Sequence, residues 1–402
     1  FDIVEGDAFN AREVERARNR IRALGFFSDV QVRTERGDSD DRARILVEVE
    51  EQSTGSINFG VGFSSASGPT GEISVSEANF LGRGQFVRAR VRVSTDSNVF
   101  DLTFEEPAFL DRDLRLGLNG FFRDEDLDDE SSFELTSLGF IPSITFPTSD
   151  VGRLRLFYEI SDDDIRDLDD NVSPLIQVDE GAQTTSAIGF RYTHDLRNNV
   201  IETTGGYLLT LDQTLAGLGG GAQYSRSVAS AKGWTSFFGN DVVASLEVEG
   251  GALFPFNDGV RITDRFFLGG DSLRGFAFAG VGPRDRSLDE DGDRRDDALG
   301  GNLYAVARAE LSFPIGLPEE LGVFGGLFFD VGTLWDLDRT SVEVDGVSTE
   351  PVDDDAELRA AVGASVFWDS GFGPLRLNFA IPVRQVDGDE TEFFRLTVGT
   401  RF

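Results

Sequence analysis

The chain predicts an all-β fold, a transmembrane antiparallel β-barrel of about 16 strands, preceded by a partial α+β domain. Three observations carry that reading. From Thr54 onward, segments of about ten residues alternate apolar and polar side chains between turns of Gly, Asp, Asn and Pro, as strands do with lipid on one side and a wet lumen on the other. No apolar run is long enough for a spanning helix, which needs ~20 residues. The 46 glycines and 36 phenylalanines suit tight bends and aromatic girdles.

Residues 1–51 form the α+β part. Asn10 caps a helix start, Glu13 falls at its third position, and Val14, Ala17, Ile21 and Leu24 share one face at helical spacing. Gly25 ends the helix where a left-handed residue is wanted. Two strands follow, Ser28–Thr34 and Ala43–Glu50, about the turn Gly37-Asp38-Ser39-Asp40. The chain opens on Phe1-Asp2-Ile3-Val4 and contains no methionine, which is expected of an internal or processed fragment.

Residues 52–402 supply the barrel strands. They are expected at Thr54–Ser64, Ile73–Asn79, Phe86–Val93, Phe100–Phe104, Leu114–Phe122, Phe133–Ile144, Leu154–Ile160 and Thr184–Thr193. The series continues at Tyr207–Thr214, Ala222–Trp234, Val242–Leu253, Leu303–Phe313, Gly322–Val331, Leu358–Trp368, Leu375–Ile381 and Phe394–Phe402. Long acidic links at Asp124–Glu130, Asp162–Gly181, Asn257–Asn302 and Asp338–Glu357 alternate with short turns such as Leu81-Gly82-Arg83-Gly84. Long extracellular loops and short periplasmic turns are the outer-membrane arrangement. A soluble multi-sheet protein is the alternative, and the final segment argues against it. There Phe394, Leu396, Val398 and Phe402 share one face, with Arg395, Thr397, Gly399 and Arg401 on the other.

Composition narrows the chemistry. The net charge of −35, from 72 acidic against 37 basic residues, leaves no positive face for nucleic acid. Without cysteine there is neither a disulfide framework nor a thiolate metal site. His194 beside Asp195 has no serine in a nucleophile elbow to serve, so it is expected near a strand end and no enzyme is expected. Asp289, Asp291 and Asp293 could gather oxygen ligands, but Gly292 is misplaced for an EF-hand loop. A solvated acidic loop is the default, and no cofactor is expected. Gly217–Gly221 is followed by neither lysine nor a helix start, so it is no phosphate cradle.

Several stretches resemble the BamA branch of the outer-membrane assembly superfamily. Leu24-Gly25-Phe26-Phe27-Ser28-Asp29-Val30 resembles the helix-to-strand corner of the last periplasmic POTRA domain, and Val49-Glu50-Glu51-Gln52-Ser53-Thr54-Gly55 its join to the first barrel strand. Phe267-Leu268-Gly269-Gly270, Leu273-Arg274-Gly275-Phe276 and Gly282-Pro283 resemble the long sixth loop. Gly300-Gly301-Asn302, Glu310 and Phe329-Asp330-Val331-Gly332 resemble the two strands after it, and Gly399 before the terminal aromatic resembles the last strand.

The resemblance implies that the loop folds into the lumen, with Arg274 held by Glu310 and Asp330. Strand parity independently turns both carboxylates inward. It also implies assembly of client barrel proteins, Bam-complex lipoproteins docking on the POTRA region, periplasmic chaperones, and a setting of lipid and lipopolysaccharide. A lateral seam between first and last strands is expected to involve Gly55, Gly60, Gly62, Gly399 and Phe402. The family leaves a TamA-type factor or a two-partner secretion transporter as alternatives. Outside it stand a porin and an outer-membrane hydrolase.

Overall fold

A computed structural model describes residues 8–399 apart from 40–41, 66–67, 258, 289–291, 293, 345–346, 350 and 371–372. At the N-terminal end, α1 (Ala11–Ala23) starts where the Asn10 side chain accepts a hydrogen bond from the Arg12 amide at 3.0 Å. It stops before Gly25, whose φ of +72° suits glycine. Val14 and Ala17 are buried. Leu24 departs from the expected apolar face: the helix ends at Ala23, and Leu24, the cap residue, is exposed. Strands β1 (Phe27–Arg36) and β2 (Ala43–Glu51) pair antiparallel beside the helix.

Sixteen strands then close into one antiparallel barrel. They are β3 (Gly55–Ser64), β4 (Gly68–Phe80), β5 (Gln85–Val93), β6 (Ser97–Glu106), β7 (Arg115–Asp126), β8 (Glu134–Pro147), β9 (Gly152–Arg166) and β10 (Gly181–Asp195). The rest are β11 (Gly206–Gly220), β12 (Tyr224–Phe237), β13 (Val242–Pro255), β14 (Leu303–Pro314), β15 (Val323–Trp335), β16 (Arg359–Ser370), β17 (Gly373–Arg384) and β18 (Phe394–Val398). Each pairs with its sequence neighbours, and β18 returns to β3.

Period-two alternation decides which side chains meet lipid. On β3, Ile57, Phe59, Val61 and Phe63 are exposed on the outer surface, and on β15 Leu327 and Phe329 are likewise. Residues of the opposite parity, such as Phe328 and Asp330, are buried inside. The even strand count puts both termini of the barrel at the end where α1, β1 and β2 lie, here the near end.

Two expected links are shorter than the sequence suggested. β7 continues to Asp126 and β9 to Arg166, so carboxylates placed in loops sit on ladders. Cross-strand hydroxyls make this tolerable: Thr184 donates to Asp162 at 2.8 Å and Ser137 to Asp163 at 2.5 Å. At the far end the long links fold together over the barrel mouth. Phe133, Ile165, Ile176, Ile262 and Leu299 form a buried apolar cluster drawn from four separate segments. Asp297 ties it polarly, accepting from the Ser132 hydroxyl and the Ser173 amide, both at 2.6 Å. The acidic run proposed for metal, Asp289, Asp291 and Asp293, lies outside the described residues.

Burial in this cap pushes the Asp264 carboxyl up to about 6. On Glu130, burial and then neighbouring Asp129 push the carboxyl up to about 7. An acid whose folded pKa is raised binds more protons folded than unfolded, so its contribution to stability falls as pH rises. The window runs from the ordinary carboxylate range to about 6 for Asp264 and about 7 for Glu130. The cap should therefore be tighter at pH 5 than at pH 8. Hydrogen exchange of amides 261–265, corrected for intrinsic rate, should show more protection at the lower pH. Equal protection would refute the assignment.

Candidate functional site

The long link 256–302 bends back into the barrel, and two requirements put it there. Leu273 and Phe276 are fully buried in a lumenal cluster with Leu253, Phe266, Tyr304 and Leu334. Between them, Gly275 takes φ +93°, and a Cβ there would lie 2.8 Å from Ala361 Cβ. Only glycine fits so close to the wall.

Arg274 thereby projects onto β14 and β15. Its Nε donates to Asp330 Oδ2 and its Nη2 to Asp330 Oδ1, both at 2.7 Å, a two-pronged fork. The Arg274 amide donates to the same carboxylate at 3.2 Å. Nη1 donates to Glu310, which also accepts from Arg376 Nη2 at 2.6 Å. Asp330 has no exposed surface. Removing its partner would leave a buried charge with most of its bonds unmade.

Arg274, Glu310 and Asp330 thus meet in one hydrogen-bonded group, and the structure adds three residues that sequence reasoning missed. The Arg274 guanidinium stacks 3.7 Å from the Phe328 ring centre. Arg376 shares Glu310, and Arg308 donates to the Ser272 carbonyl at 2.9 Å. Parity could have found Phe328, which faces the same way as Asp330. Parity also turns Arg308 the same way as Glu310 and Arg376 the same way as buried Asn378 and Ala380, but it does not name their partners.

At the seam, β3 pairs with β4 along its whole length, from Gly55 opposite Glu77 to Ser64 opposite Gly68. Its other edge meets β18 only at Ser64–Thr397 and Phe63–Val398 among the described residues. Gly62 permits close approach, since a Cβ there would sit 2.9 Å from the Val398 carbonyl oxygen. Gly55 and Gly60 lie on the stretch of β3 without a described partner on that edge. The Gly399 amide donates to Pro374, toward β17. Phe402 lies outside the described residues.

Motif and seam also touch. The Gly275 carbonyl accepts from the Glu392 amide at 3.0 Å, and the Ala277 amide donates to the Glu390 carbonyl at 2.9 Å. The Glu392 carboxylate accepts from Arg395 Nε on β18 at 2.9 Å and from the Ser65 hydroxyl beyond β3 at 3.3 Å. His194 stacks on Tyr207 near the end of β10, with ring centres 5.8 Å apart.

The Omp85 superfamily domain matches residues 79–402, and a POTRA unit, described as a surface antigen variable number repeat, matches residues 1–52. The outer membrane protein assembly factor BamA of Neorickettsia risticii is 30% identical over 401 residues, covering 100% of this chain and 52% of that protein. The BamA of Nitratidesulfovibrio vulgaris is 27% identical, covering 96% of this chain and 47% of its own length. The chain thus spans about half the length of these curated relatives. The crystal structure of Haemophilus ducreyi BamA lacking POTRA domains 1–3 superposes with a TM-score of 0.87 at 25% identity, covering 100% of this chain and 80% of that one. The barrel is an outer-membrane barrel of a Gram-negative bacterium, with the N-terminal unit in the periplasm. By domain match, relatives and fold, this chain belongs to the Omp85 superfamily.

Proposed function

We propose that this barrel catalyses the folding and insertion of client β-barrel proteins into the outer membrane, using the seam between β3 and β18 as a template. The physical problem is the client's unpaired strand edge, because each unsatisfied backbone group in hydrocarbon costs several kcal/mol. A catalyst lowers that cost by lending an edge of its own, so that the client adds strands by β-augmentation. The observation that carries the proposal is the closure of the barrel where the last strand meets the first, with Ser64 of β3 opposite Thr397 of β18 and Phe63 opposite Val398. The glycines at 55, 60 and 62 weaken packing on β3 and let it bend.

The residue divisions 1–51 and 52–402 are part of the same reading. The periplasmic unit would receive Bam-complex lipoproteins and clients delivered by chaperones, and the far end would meet lipopolysaccharide. The proposed work is strand exchange in lipid rather than bond-making chemistry. A TamA-type factor or a secretion transporter remains the alternative function on this fold. The likeness to BamA at a TM-score of 0.87 supports the first reading.

Ser64 and Thr397 are directly opposed across the seam, near enough for a disulfide. The full-length protein carrying Ser64→Cys and Thr397→Cys, oxidised in liposomes, should lose client insertion and regain it on reduction. Undiminished insertion with the crosslink complete would overturn the template mechanism.

A further inference from the structure

Three periplasmic turns share a pattern used neither by the loop lock, the seating of link 256–302 through Arg274 on Asp330 and Glu310, nor by the seam. They read Phe80-Leu81-Gly82-Arg83, Phe109-Leu110-Asp111-Arg112 and Phe237-Phe238-Gly239-Asn240, joining β4 to β5, β6 to β7 and β12 to β13. In each, both central residues are left-handed: φ is +55° and +69° in the first, +59° and +56° in the second, and +54° and +74° in the third. The Arg83 amide donates to the Phe80 carbonyl at 3.2 Å, and that of Arg112 to Phe109 at 3.3 Å, closing tight hairpin turns.

Such a turn favours Asn, Asp or Gly at its first central position, because a Cβ is strained there. Here the position holds Leu81, Leu110 and Phe238, which are 75%, 68% and 84% exposed. Large apolar residues kept in a strained backbone, making little contact with the protein, have their use outside it. The neighbouring β10–β11 link adds Ile201, 88% exposed.

We infer that these tips seat in the periplasmic phospholipid leaflet, anchoring the barrel below its strand-borne lipid belt. Continuity argues for lipid as the occupant. Phe80 and Phe237, at the strand ends just before the tips, are exposed, extending the outward apolar faces of their strands. Arg83 and Arg112 follow the tips and are exposed. Arginine beside an apolar anchor can lay its stem in the boundary and its guanidinium on phosphate. That placement is notable in a chain of net charge −35. The β8–β9 turn, Thr148-Ser149-Asp150, supplies an internal contrast with its polar tip.

Since the chain has no cysteine, spin labels can be placed singly at Leu81→Cys, Leu110→Cys, Phe238→Cys and the control Ser149→Cys in liposomes. Labels at the three tips should collide more with oxygen than with a water-soluble nickel chelate. The label at 149 should show the reverse. Water-like accessibility at all four sites would overturn the inference.

A triple variant, Leu81→Asn, Leu110→Asn and Phe238→Asn, supplies an independent arm. It relieves backbone strain, so the melting temperature in detergent should hold or rise, while resistance to extraction from liposomes falls. A lower melting temperature in detergent would mean that the tips pack on protein, and unchanged extraction that they touch no lipid. Either result would overturn the inference. The template mechanism is untouched by both arms, because neither reads client insertion.

Discussion

Arg274→Ala should leave a barrel that still folds and should lower client insertion by roughly tenfold or more, the effect of losing ~1.4 kcal/mol or more in the rate-limiting step. The barrel survives because its strands are held by ladders the loop does not join. The loop does not survive in place. Without the guanidinium, Asp330 is left with only the amide of residue 274 to bond it, among the interactions described. Stranding a buried charge in this way costs about 3–5 kcal/mol. Arg274→Lys should rescue poorly, because an ammonium cannot make both prongs at once or stack flat on Phe328. Limited proteolysis within 270–280 would report unseating, and client folding in liposomes would report activity. Cleavage of the loop with insertion unchanged would detach the lock from function, while leaving the seam proposal standing.

Much of this architecture was legible from alternation. A strand in lipid must present apolar residues every second position, so parity alone turned Glu310 and Asp330 inward, where the structure places them. All sixteen strands occur where the periodic segments lie. What parity does not carry is strand length beyond the bilayer. Asp162, Asp163 and Asp164 suggest a loop by composition, yet their ladder is completed by partners on β8 and β10, distant in sequence. The same holds for Glu392, whose place at the seam is set by the Gly275 carbonyl, Arg395 and Ser65. A loop residue bonded to segments scattered along the chain leaves no local signal. The left-handed turn tips were hidden for a different reason. Leu-Gly and Phe-Gly are not the dipeptides that announce such turns, so their backbone becomes visible only as dihedral angles.

Gly269→Ala should reproduce the Arg274→Ala phenotype although it leaves every charge intact. Gly269 takes φ +130°, and a Cβ added there would stand 1.8 Å from the Ala277 carbonyl oxygen, which no relaxation short of unfolding the turn can accommodate. That turn is what aims the motif. The Ser272 hydroxyl bonds the Gly269 carbonyl at 2.8 Å, and the Gly270 amide donates to the Phe276 carbonyl at 2.9 Å, closing the loop around Leu273 and Arg274. Gly316→Ala is the matched control. It is also left-handed, at φ +81°, but has open space around it and lies in a periplasmic turn, so it should cost backbone strain without loss of insertion. The double variant Gly269→Ala, Arg274→Ala then separates two accounts. If glycine and arginine both act by seating one loop, the double variant should be no worse than either single one, because one unseated loop cannot be unseated twice. Losses that multiply would show that Arg274 contributes to insertion by a route independent of the seated loop, and would refute the lock as its whole role.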